Sequence, residues 1–234
     1  MHPAASFWNR THELCQGTPA GAQTWIRRQG VPAIAEPLVL ILVCGACYGA
    51  SIGAWRAGEL ALYCALKLPL LFLATAAVNA LLNGLWARRL GLDLSLAESF
   101  RAVLLSFALA ALVLAAFAPV ILFFDRTLPC PTSRDAWTSH NLLGGAHVCA
   151  VALAGSVAVM RQRQWLAERC PESAHSQRVA WLWLAINLIV GAQISWNLRP
   201  WFGSPGMTVE FLREDPFDGT FYESVFQMTR HRTR

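Results

Sequence analysis

The sequence predicts an all-α fold, a polytopic membrane helix bundle with five transmembrane helices, and three observations carry that expectation. The chain of 234 residues is 55% hydrophobic and 14% charged, with a mean hydropathy of +0.40. That is far more apolar than a soluble domain of the same length. Five apolar segments, 37–55, 60–86, 100–124, 140–160 and 179–198, each reach the roughly 20 residues of helix needed to cross a hydrocarbon core of about 30 Å. Finally, basic residues divide unevenly between alternate sides. Ten (Arg10, Arg27, Arg28, Arg88, Arg89, Arg101, Arg161, Arg163, Arg169 and Arg178) share the side of the N-terminus, against three (Arg56, Arg126 and Arg134) in the opposite loops. Basic residues in short loops are retained in the cytoplasm. The expected layout is a cytoplasmic or interfacial segment 1–36, a transmembrane domain 37–198 and an exterior tail 199–234. The five arginines of the tail, three of them at Arg230, Arg232 and Arg234, run against that orientation.

The first apolar run begins only at Pro37, behind Glu13, Arg27, Arg28 and Glu36, which is unlike a cleavable signal peptide. Trp8, Trp25 and Ile26 beside Arg27 and Arg28 suit either a segment lying on the membrane surface or a plain flexible tail. In the first span Gly45, Gly49 and Gly53 recur every four residues, a stripe that lets another helix approach closely. It serves either packing within the chain or a homo-oligomer face.

The second span is the most polar inside, with Lys67, Thr75, Asn79 and Asn83. The last three fall within about 80° of one another on a helix, and that face should look at protein or water, not lipid. Lys67 lies near the outer end, where it either snorkels to the headgroups or is a buried charge with a partner. Asp93 and Ser95 precede the third span as helix-start residues. In the fourth, Ala146, Ala150, Ala154 and Ala158 form a second close-packing stripe, and His140 and His147 share a face. The fifth places Asn187, Gly191 and Ser195 on one line with Gln193 off it. Trp181, Trp183, Trp196 and Trp201 mark its ends as interface anchors.

Beyond the last span, Trp196–Tyr222 is too rich in proline and glycine to continue a helix. The residues singled out are Asn197, Arg199, Pro200, Trp201, Gly203, Ser204, Pro205, Gly206, Asp218 and Tyr222. Glu210, Glu214, Asp215, Asp218 and Glu223 alternate with Phe211, Phe217, Phe221, Tyr222 and Phe226. That pattern suits an element docking an apolar side on the bundle and showing carboxylates to water, or a surface for an exterior protein partner.

Chemistry-bearing motifs are few. Cys44-Gly45-Ala46-Cys47 spells a dithiol motif but lies inside an apolar span, where thiolates are disfavoured. Neither His140 with His147 nor Asp215 with Asp218 supplies three metal ligands, and no phosphate-binding glycine loop or nucleophile elbow occurs. The net charge of +5 is spread over loops flanking the spans, so it reflects orientation and not a nucleic-acid partner. The sequence therefore calls for no catalytic residue, metal or cofactor. The expected partners are the lipid bilayer, an exterior protein through the tail, and a second copy of the chain.

Three stretches carry a resemblance: LKLPLLFLATAAVNALLNGL in the second span, FAPVILFF closing the third, and GAQISWNLRPWFGSPGMTVEFLREDPFDGTFYESV at the end. Over about residues 37–228 the chain resembles a bacterial family of small multi-span inner-membrane proteins, loosely similar in layout to Yip-type membrane proteins. The resemblance implies an inner-membrane location, and in it the count of basic residues puts the N-terminus in the cytoplasm and the C-terminus in the periplasm. It brings no established activity. The expected function is a non-enzymatic accessory or scaffolding role with the tail as recognition or lid element. The alternative is a small channel or transporter, its path lined by Lys67, Thr75, Asn79, Asn83, His147, Asn187 and Gln193.

Overall fold

The structure, a computed structural model, describes residues 3–16, 25–26, 30–89, 95–169 and 173–224. Among the described residues six long helices build it: α1 (Pro3–Gln16), α2 (Pro32–Gly53), α3 (Gly58–Arg89), α4 (Leu96–Thr127), α5 (Ala136–Arg169) and α6 (Ser173–Asn197). No strand occurs among the described residues. Among the described residues, four helices are long and apolar enough to cross a membrane: Pro32–Gly53, residues 58–82 of α3, Leu96–Thr127, and residues 136–165 of α5. The described residues thus form an all-helical fold with four candidate membrane spans, which fits a membrane-embedded protein. The fifth apolar segment lies in α6, which is 25 residues long.

α2 is a helix because a run of aliphatic residues follows Pro32, whose missing N–H costs nothing at a helix start. It begins five residues earlier than the apolar run, so Pro37 lies inside the helix and not at its entry. α4 starts where the polar loop offers a cap: Ser95 accepts from the Glu98 backbone N–H, and Glu98 reaches back to the Ser95 N–H.

The helices pack in a ring, α2 beside α3, α3 beside α6, α6 beside α5, α5 beside α4 and α4 beside α2, with α3 also touching α4 across the middle. The connections at residues 54–57 and 128–135, and the end of α6, lie at one end of the bundle, here the tail end.

Small residues set the closest approach. A Cβ at Gly49 would stand 2.3 Å from the Cys64 carbonyl oxygen, one at Gly53 2.5 Å from the Leu60 carbonyl, and one at Gly45 3.3 Å from Pro69 Cγ. The glycine stripe of α2 is therefore occupied by α3 of the same chain. On α5, Ala150, Ala154 and Ala158 are buried against Tyr48, Leu114 and their neighbours, and Ala146 is partly buried there.

At the opposite end α1 folds onto the bundle. Leu14, Trp25 and Ile26 are buried with Leu40, Ile41, Leu105, Trp165 and Trp183, and Arg10 pairs with Glu36 at 2.5 Å. The burial of Trp183 corrects its expected place as an interface anchor. Residues two apart on a helix point about 200° apart, so Trp181 is exposed while Trp183 is fully enclosed. Trp25 and Ile26 are likewise buried in this junction, together with Leu14 of α1.

Candidate functional site

The residues after α6 turn back over the tail end of the bundle. The turn needs backbone freedom: Gly203 and Gly206 have φ of +57° and +82°, conformations that residues with a Cβ rarely adopt. The Arg199–Pro200 peptide bond is cis. Trp201 packs down and donates its indole N–H to the Ser195 carbonyl at 3.0 Å. Phe202 and Val209 join Trp201 against the cluster of Tyr48, Leu60, Cys64 and Leu68.

Beneath this tail stands Lys67. Its side chain is fully buried in α3, and Nζ donates to the Pro200 carbonyl at 2.8 Å while lying 5.1 Å from the centre of the Phe211 ring. No carboxylate lies within ion-pair distance of it among the described residues. A buried cation without a counter-charge is costly unless its donors find acceptors, and here the tail backbone and an aromatic face supply them. Lys67 is thus the buried alternative of the two expected from sequence. One turn back, Cys64 donates its thiol hydrogen to the Trp201 carbonyl at 3.0 Å. Arg56, in the 54–57 connection, donates to the Met207 carbonyl at 2.7 Å.

Of the remaining polar residues, Tyr48 with His147 and Asn79 with Asn187 pair between helices, while the Thr75 hydroxyl is buried without a partner. Tyr48 Oη and His147 Nδ1 are 2.8 Å apart inside the bundle, and the His147 ring lies 4.9 Å from that of Phe202, which links the pair to the tail. His147 Nε2 is buried without a partner. Asn79 donates its side-chain amide to the Asn187 side-chain oxygen. Thr75, on the same face of α3, meets α6 at Gly191. The two polar lines expected on the second and fifth apolar segments therefore face each other. Gln193 donates to Asn197 Oδ1 at 3.0 Å and accepts from the Phe221 backbone N–H at 3.2 Å, holding the far part of the tail. Tyr222 adds a hydrogen bond from its hydroxyl to the Ile189 carbonyl at 2.9 Å. The side chain of Asn83 lies outside the described residues.

Of the other tail residues, Arg199 donates to the Trp196 carbonyl at 2.8 Å, Ser204 accepts at its carbonyl from the Met207 N–H at 3.2 Å, and the Asp218 carbonyl accepts from Arg213. Pro205 and Gly206 form the turn's outer edge. Glu210, Glu214, Asp215, Asp218 and Glu223 all face outward. The apolar side is less complete than its pattern suggested. Phe217 is 81% exposed, and Phe211 and Tyr222 are partly so, because the covered surface is already filled by Trp201 and Phe202.

Three contributors escaped the sequence reading: Tyr48, Cys64 and Arg56. Cys64 stands three residues before Lys67, so it shares a helix face with a residue already singled out. Tyr48 and Arg56 carried no such signal. Outside the spans, the Cys130 thiol is held below its usual range by hydrogen bonding from Thr132, whereas partial burial raises that of Cys15.

Comparison with protein-family models, curated proteins and solved structures finds no match to this chain. Any function must be argued from this geometry alone.

Proposed function

We propose that the chain is a non-enzymatic accessory or scaffolding protein of a bacterial inner membrane, with the tail as a lid that closes one end of the bundle and serves as its recognition element. In this reading α6 is a fifth span, the N-terminus is cytoplasmic and the tail is periplasmic. The basic-residue asymmetry supports that orientation. The observation that carries the proposal is how the polar residues are used. Lys67 goes to the tail carbonyl, His147 to Tyr48, Asn79 to Asn187 and Gln193 to Asn197 and the tail. A transport path needs such groups to converge on one wet cavity, whereas a scaffold uses them in pairs.

The test is thiol labelling in intact cells with a membrane-impermeant reagent, using Ser204→Cys and Asn83→Cys in a chain otherwise without cysteine. Cys64 is best replaced by serine there, which keeps a donor to the Trp201 carbonyl. Labelling at position 204 and none at 83 fits a closed bundle with an exterior tail. Labelling at 83 moves the transport reading to first place. Labelling at 204 only after the cells are opened overturns the five-span orientation.

A further inference from the structure

Three hydrogen-bond donors without acceptors gather where the tail leaves α6. Trp196 Nε1, Arg199 Nη2 and Arg213 Nε are each buried, and each lacks a partner. None of these groups can accept a hydrogen bond, so they cannot satisfy one another. Both guanidinium groups lie about the same indole. Arg199 sits directly over the Trp196 ring, and the Arg213 Cζ is 5.7 Å from its centre.

The rest of each arginine is already engaged with backbone. Arg199 Nε donates to the Trp196 carbonyl, and Arg213 Nη2 to the Asp218 carbonyl. That fixes the side chains and leaves the orphan N–H groups in place. The tail contains five carboxylates, yet none lies within ion-pair distance of either arginine among the described residues. Glu210 accepts from Thr208, and Glu223 from the Thr220 N–H. Burial, and after it the like charge of Arg213 held close by with no counter-ion, pushes the Arg199 guanidinium down to about 10. Buried donors left unmade are costly, so the cluster calls for an oxygen acceptor, and its two positive charges favour an anionic one. Arginine pairs match phosphate geometry through parallel N–H···O bonds. Trp196, at the end of α6, belongs to the level at which tryptophans meet lipid headgroups.

We infer that Trp196, Arg199 and Arg213 form a binding site for a phosphate group, with the phosphate of an anionic phospholipid headgroup as its natural source. The headgroup oxygens accept from the three orphan donors, and the acyl chains run down the lipid-facing side of α6 beside the exposed Leu188 and Ile189. The inference uses the docked tail and rests on the proposed reading of α6 as a fifth span, not on the scaffolding role. Its test reads binding in detergent, so its failure leaves the labelling result untouched.

The full-length protein in an uncharged detergent is titrated, following its thermal unfolding, with short-chain phosphatidylglycerol, with inorganic phosphate, and with a diacylglycerol that lacks phosphate. Saturable stabilisation by phosphatidylglycerol, a weaker response to inorganic phosphate and none to the diacylglycerol is the expected result. A response to inorganic phosphate equal to that of the lipid still supports the site and makes a free phosphate its source. Each of R199Q and R213Q should weaken the response about tenfold or more. R199K should lose less, and W196F, which removes one N–H and keeps an aromatic ring, the least. No saturable response of the wild-type protein to either phosphate source overturns the inference, and that arm needs no variant to fold. Arg-to-Gln variants that bind phosphatidylglycerol as the wild type does overturn it equally.

Discussion

Gly203→Ala tests whether the tail is held by close contact with the bundle. The added methyl has two costs. At φ +57° a residue with a Cβ loses about 1–2 kcal/mol against its ordinary conformations. The new carbon would also stand 2.9 Å from Leu60 Cδ2 and 3.1 Å from Arg56 Cγ, where carbon atoms prefer about 3.5–4.0 Å. Leu60 is fully buried and cannot swing into open space, so overpacking adds about 1 kcal/mol or more. A total of at least about 2 kcal/mol shifts the docked–undocked equilibrium of the tail roughly 30-fold toward undocking. Amide hydrogen exchange of residues 198–224 in the full-length protein reads that equilibrium. The Phe221 N–H, bonded to Gln193, is a direct reporter. Gly206→Ala is the control. It carries a similar torsional cost, φ +82°, but its Cβ would meet nothing within 4 Å, so it should loosen the tail less. Tail amides that exchange as slowly in G203A as in the wild type, or faster in G206A than in G203A, refute the reasoning.

Lys67→Met keeps the apolar stem and removes the bond to the Pro200 carbonyl. Tail exchange should quicken about tenfold, while the unfolding temperature of the helices holds or rises, as expected when a buried charge is replaced by an apolar side chain of similar volume. Gly49→Ala should destabilise the protein by about 1–3 kcal/mol in detergent, because its Cβ meets backbone that cannot yield. Gly144→Ala and Gly155→Ala, with nothing within 4 Å, should be neutral or slightly stabilising in the same melting experiment. A double-mutant cycle on Asn79→Leu and Asn187→Leu should give a coupling of about 0.6–1.7 kcal/mol, the range of interhelical hydrogen bonds in lipid; additivity denies the pair. Cys130, with its thiol held low, should be alkylated faster than Cys15 between neutral and mildly alkaline pH, because more of it is thiolate there. The difference should shrink as the pH passes the usual thiol value, and mass spectrometry of the labelled peptides measures both rates.

The class of the fold was legible because it rests on composition and segment length, which lipid constrains strongly. Four long apolar helices coincide with the first four apolar segments. The glycine stripe was legible as a packing surface, since spacing alone places Gly45, Gly49 and Gly53 on one face. What it packs against was not, because a stripe carries no record of its partner. The same holds for Thr75 and Asn79 against Asn187 and Gly191. Both lines could be read, but their pairing depends on which helices become neighbours in the ring. Lys67 could be recognised as unusual, yet its acceptor is a backbone carbonyl, and every residue has one. Trp183 was misplaced because a tryptophan near a span end reads as an anchor whichever way it faces.

The Lys67 contact has an electrical consequence. Nine residues beyond Gly58, the ammonium stem leaves a helix about 13 Å below its start, a depth of roughly two-fifths of a 30 Å hydrocarbon layer. A full crossing is worth about 2.3 kcal/mol per elementary charge for every 100 mV. Lys67 in a span therefore feels about 1 kcal/mol per 100 mV. In the orientation proposed above, with the tail outside and the cell interior negative, that force draws the ammonium inward, away from the Pro200 carbonyl. In that orientation the grip on the tail is weaker in an energised membrane than in a collapsed one.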